Sequence, residues 1–158
     1  MQTIWPYLTD LYAALPPALA YPVLMLVSTT CGIIVGMERE SRDKPAGLRT
    51  IMLICIGSTV FTLASILMAG GHEFADRGRV AANIVTGIGF LGAGAIIRDQ
   101  GAVRGLTTAA TIWTVAAIGL LVGTGYAAAG LVLAVFIVTA SNLLRRFERP
   151  QPTGQTHG

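Results

Sequence analysis

From Gly105 to Leu144 the chain runs for 40 residues without one Asp, Glu, Lys or Arg. As a single helix rising about 1.5 Å per residue this run would measure about 60 Å, twice the roughly 30 Å hydrocarbon core of a bilayer. A run this long and apolar belongs in a membrane, and it must fold back to fit there. Glycines 119, 123, 125 and 130 mark its weak point, and a tight turn near Gly123, Thr124 and Gly125 leaves two segments of spanning length.

Three more runs, Leu19 to Met37, Thr50 to Gly71 and Val80 to Ile97, are equally free of charge and near the roughly 20 residues a span needs. The expected fold is therefore an all-α membrane bundle of five transmembrane helices, over about 19–38, 48–71, 78–98, 105–123 and 126–145. Residues 1–18 read as an interfacial segment, with Trp5, Tyr7 and Tyr12 among prolines, and no cleavable signal peptide is apparent. The tail 148–158 is too polar and too rich in Pro and Gly to pack and is expected to be disordered.

Charge fixes the expected orientation. With the N-terminus outside, the inner segments hold nine basic residues, Arg39, Arg42, Lys44, Arg49, Arg98, Arg104, Arg145, Arg146 and Arg149, against Arg77 and Arg79 outside. The positive-inside rule then gives N-out and C-in. The net charge of +3 is spent on these clusters, which is a topology signal and not a nucleic-acid footprint.

Helix faces give the candidate sites. Ser28, Gly32 and Gly36 follow a small-xxx-small spacing that lets two backbones approach in lipid. In the run from Val80, Gly87 and Gly94 fall on one face and Gly89 and Gly92 on another, which implies close neighbours on both sides and a place at the centre of the bundle. The Gly87 face continues back to Asn83 and Asp76, with Arg79 alongside. Two readings stand: an ion or partner site opening outward, or a helix cap, an ion pair at headgroup level and an interhelical hydrogen bond. Thr107 and Thr111 share a face with Arg104 and Thr114, either lining a polar path or bonding back to their own helix. Between the first two spans, Glu38, Arg39, Glu40, Arg42, Asp43, Lys44 and Arg49 form either a paired network at the membrane surface or a solvated loop that sets topology.

Catalysis finds little support. His72 and His157 lie outside the spans, and Cys31 and Cys55 have no partner at metal-ligand spacing and read as packing residues. No enzyme activity, cofactor or metal site is expected.

Four segments together, GIIVGMERE from Gly32, KPAGLRT from Lys44, DRGRVAANIVTGIGFLGAGAII from Asp76 and VRGLTTAATIWTVAAIGLLVGTGY from Val103, resemble the MgtC/SapB family. The resemblance covers about Gly32 to Leu144. It implies a multi-pass protein of the bacterial inner membrane, linked to growth under magnesium limitation, acid tolerance and survival inside macrophages. It also implies regulatory contact with a membrane complex such as the proton-translocating ATP synthase, and attaches importance to Glu38, Arg39, Arg49 and Asp76. Two features depart from the pattern: glutamine is expected where Asn83 stands, and longer members carry a soluble C-terminal domain that is expected to be missing here. The competing expectation is a transporter or channel for magnesium or another small cation, built on Asp76, Asn83 and the threonine face. The glycine faces also leave room for a second copy of the chain.

Overall fold

In the computed structural model residues 11–69, 77–99 and 102–147 are described. A short helix α1 (Leu11–Ala14) precedes five long ones: α2 (Pro17–Glu40), α3 (Leu48–Ala69), α4 (Arg77–Gly94), α5 (Leu106–Gly123) and α6 (Ala127–Arg145). Four of these, α2, α3, α5 and α6, are long and apolar enough to cross a membrane. The less apolar α4 carries Arg79, Asn83 and five glycines in 18 residues.

The centre of the bundle is α3. On one side it meets α2, where Gly32 and Gly36 let the backbones close: a Cβ on Gly32 would lie 2.6 Å from Met52 Cα, and one on Gly36 2.9 Å from Leu48 Cα. On the other side it meets α5, where a Cβ on Gly119 would strike the carbonyl oxygen of Cys55 and one on Gly123 would lie 2.6 Å from Thr62 Cβ. The outer helix α6 rests on α2 and α5, with Gly130 tight against Val122. Such contact is what holds helices together where no hydrophobic drive separates them from lipid.

A buried polar knot joins the three inner helices. Thr59 Oγ1 of α3 lies 2.8 Å from Ser28 Oγ of α2 and 2.8 Å from the Gly119 carbonyl oxygen of α5. Ser28 Oγ is in turn 3.5 Å from Cys55 Sγ. Apolar residues close around it, with Leu24, Val35, Ile51, Val115, Ile118 and Val122 all buried.

Three expectations are corrected. The helix from Val80 is not central: α4 leans on α5 and touches α3, and among the described residues nothing lies within 4 Å of a Cβ placed on Gly87, Gly89 or Gly94, whereas Gly92 packs against Ala109. The physical reason is that α3 already has its close-approach partners in α2 and α5. Nor does that helix reach Arg98. It stops at Gly94, and Ile97–Asp99 pairs antiparallel with Ala102–Arg104, Ile97 opposite Arg104, as strands β1 and β2. The following Gly105 has φ of +89°, and a side chain there would run into the Ala95 carbonyl oxygen, so glycine locks the hairpin against the end of α4. Finally, Gly119 and Gly130 are packing residues. The α5–α6 turn itself rests on Gly125, with φ of +102°.

Over that turn sits α1. Leu11 N–H donates to the Gly125 carbonyl (3.0 Å), and Tyr12 Oη–H donates to the Gly123 carbonyl (2.8 Å). The Tyr12 ring meets Tyr21 edge to face, with centroids 6.3 Å apart.

Candidate functional sites

Two regions carry the polar residues. The first is the end of the bundle where α2 stops, α3 starts and α6 stops. Glu38 accepts from Arg39 Nε at 2.6 Å and from Arg39 Nη2 at 3.0 Å, while Arg42 Nη1 lies 2.8 Å from Glu38 Oε1. Arg42 also donates through Nη2 to Asn142 Oδ1, which ties α2 to the last turn of α6. Arg39 is only 3% exposed, an unusual depth for a guanidinium.

One turn further, Glu40 has a structural task. Its Oε2 accepts from the Leu48 N–H at 2.9 Å, placing a carboxylate at the N-terminus of α3, where the unpaired amides and the helix dipole favour negative charge. Gly47 leaves space for that carboxylate, since a Cβ there would collide with Glu40 Oε2. Lys44 and Arg49 are exposed.

The second region is a groove of about 1010 Å³ between α3 and α4, floored by Ile112 of α5. Leu53, Phe61 and Phe90 line it with Gly87, Gly94 and the Asn83 side chain. The expected outward stripe is brought together only in part. Asn83 faces the groove, whereas Thr107 and Thr111 do not line it; Thr111 donates to its own helix at the Thr107 carbonyl (2.8 Å), as Thr114 does at Ala110 (2.7 Å). Arg79 is exposed, and Asp76 lies outside the described residues. A smaller cavity of about 250 Å³ is lined by Tyr12, Thr62, Ser65 and Thr124 together with apolar residues such as Ile66 and Leu120.

Sequence reasoning missed Asn142, Thr59 and Ser65. The first two were legible only as polar residues in apolar runs, a signal that names no partner. Among the described residues no group of three or more His, Cys, Asp or Glu is placed to hold a metal.

A multi-pass helical bundle held by glycine contacts, with one charged end and one open flank, is the class of membrane protein this fold defines. Residues 25–150 match the MgtC family model, and the chain belongs to that family. It is 44% identical over 125 residues to Protein MgtC of Salmonella typhimurium, covering 79% of this chain and 52% of that protein. To Protein MgtC of Brucella abortus it is 46% identical over 114 residues, covering 72% of this chain and 47% of that protein. The chain thus spans about half the length of these relatives. No solved structure matches it. With this family and these helices, the chain is a multi-pass protein of the bacterial inner membrane.

Proposed function

We propose that this chain supports adaptation to magnesium limitation or acid stress by regulatory helix-to-helix contact with a membrane complex such as the proton-translocating ATP synthase. In this reading α4 also spans the membrane, as the third of five spans, the N-terminus is outside and the C-terminus is cytoplasmic. The observation that carries it is the bare surface of α4: among the described residues a Cβ would meet nothing at Gly87 and Gly94, on the face that lines the apolar groove, or at Gly89, which does not line it. In lipid, bare glycine surface allows the close backbone approach on which helix association depends. The remaining charges of the described chain cluster at helix ends, which favours contact over conduction.

The test is ATP-driven proton pumping by inverted inner-membrane vesicles with and without the protein. Reduced pumping that returns when Gly89 is replaced by Leu is the expected result. Unchanged pumping, with folded protein shown to be present, overturns the choice of the ATP synthase.

A transporter or channel for magnesium or another small cation is the second reading, favoured by Asn83 in the groove and by the smaller cavity beside Tyr12, Thr62, Ser65 and Thr124. It requires flux into sealed liposomes that falls in an Asp76→Asn or Asn83→Leu variant.

A further inference from the structure

At the charged end of the bundle the ionic groups do not balance. Glu38 is 7% exposed by its side chain and is shared by two guanidiniums, since its Oε1 accepts from both Arg39 Nη2 and Arg42 Nη1. Arg145, at the end of α6, stands within electrostatic reach of the same carboxylate. The neighbouring acids do not help: Glu40 is committed to the Leu48 amide, and Asp43 is exposed in the turn beyond α2. Two arginines therefore pair with one carboxylate, and a third stands within its field.

A second observation comes from inside the cluster. Arg39 uses Nε and Nη2 on Glu38, and its third nitrogen, Nη1, is buried without any hydrogen-bond partner. A buried guanidinium left partly unpaired is costly, and an anion with several acceptor oxygens would relieve it while supplying the negative charge that the cluster lacks. Arg42 is partly open to solvent and Arg145 is exposed, and their long side chains can give way to such a group.

We propose that Arg39, Arg42 and Arg145 form an oxyanion site, with Glu38 holding the guanidiniums in place, that takes a phosphate group. Arginine suits this task because its planar fork matches phosphate oxygens two at a time. The phosphate comes either from an anionic lipid headgroup, since the site lies at the ends of membrane-length helices, or from solution. A lipid held there would tie α2 and α6 together through its headgroup, reinforcing the Arg42 to Asn142 contact.

The experiment uses the full chain purified in uncharged detergent at about 0.15 M ionic strength, where exposed charges are screened within about 8 Å. One arm titrates inorganic phosphate by calorimetry. The other adds phosphatidylglycerol and counts retained lipid by native mass spectrometry, with phosphatidylcholine, whose phosphate is balanced by its own choline, as comparison. Arg42→Gln and Arg145→Gln are each expected to weaken binding about tenfold, the effect of one charge-assisted hydrogen bond. Arg104→Gln, an exposed arginine of the hairpin, is expected to leave it unchanged. Because Arg145 is exposed, its variant keeps the test open should Arg42→Gln misfold. Phosphate binding assigns the site to a soluble ligand; selective retention of phosphatidylglycerol assigns it to lipid. The proposal is overturned if folded protein binds neither, if both glutamine variants bind like the parent, or if Arg104→Gln loses as much as they do.

Discussion

Helices α4 and α5 lie side by side, and the five glycines of one and the two of the other are used in opposite ways. In α5, Gly119 and Gly123 press against the backbone of α3, and no side chain fits at either position. In α4, Gly92 packs against Ala109, while among the described residues a Cβ on Gly87, Gly89 or Gly94 would meet nothing within 4 Å. Glycine in a helix interior costs about 0.5–1 kcal/mol relative to alanine through backbone entropy. In α5 that cost is offset inside the chain by close packing. At Gly87, Gly89 and Gly94 of α4 no described residue offsets it, which is why those positions read as contact surface awaiting a neighbour.

The sharpest way to break this comparison is at Gly119. Gly119→Val drives a branched side chain into the Cys55 carbonyl and Ser58, and overpacking of this kind is expected to destabilise the bundle by about 3 kcal/mol or more. Thermal unfolding in detergent would show it, and a melting temperature unchanged from the parent would mean that α3 and α5 are not in close contact. Gly105→Ala comes next. It adds about 1–2 kcal/mol for a left-handed backbone to a collision with the Ala95 carbonyl, so the hairpin joining α4 to α5 should loosen. Raised protease sensitivity near residues 97–104 is the expected signature.

Thr59→Val has a smaller effect, because it keeps the shape and removes only the hydroxyl that links Ser28 to the Gly119 carbonyl. Interhelical hydrogen bonds in membranes contribute about 0.6 kcal/mol on average and at most about 1.7, so a loss in that range is expected from unfolding titrations. Thr111→Val, which removes only a bond within its own helix, should change stability by less. Equal losses at the two sites would sink the idea that the inner knot binds the helices to one another.

Much of the architecture was legible because lipid imposes it. The 40-residue uncharged run had to turn, and the structure turns it at Thr124 and Gly125. Five long helices follow from the apolar runs, and the Gly32 and Gly36 contact follows from their spacing. The arrangement of those helices was less readable. Glycine spacing reports that a backbone can be approached closely, not which neighbour approaches it, so Gly87 and Gly119 look alike in sequence and differ completely in surroundings. The hairpin after Gly94 was hidden for a related reason: Ala95, Ile96 and Ile97 are as apolar as the helix before them, and only the left-handed Gly105, eight residues beyond Ile97, reveals that the chain turns aside. At the charged end, the sequence showed mixed charges but not their division of labour. That Glu40 caps α3 while Glu38 serves two arginines depends on a loop brought back over the end of α2.

The smallest effect on the fold is expected where the comparison matters most. Gly87→Ala and Gly89→Ala add a methyl group that meets nothing among the described residues, and the gain in helix propensity should leave the protein as stable as before or up to about 1 kcal/mol more so. The same substitutions in α5 have no room to be harmless. If α4 is a surface for another helix, larger side chains there should separate folding from association: Gly89→Leu should melt like the parent yet fail to copurify with its membrane partner after crosslinking. A variant that still copurifies would move the contact elsewhere, and the bare face of α4 would then be left with lipid alone. A variant that unfolds would show that α4 has neighbours within the bundle after all, and the contrast between the two helices would be lost.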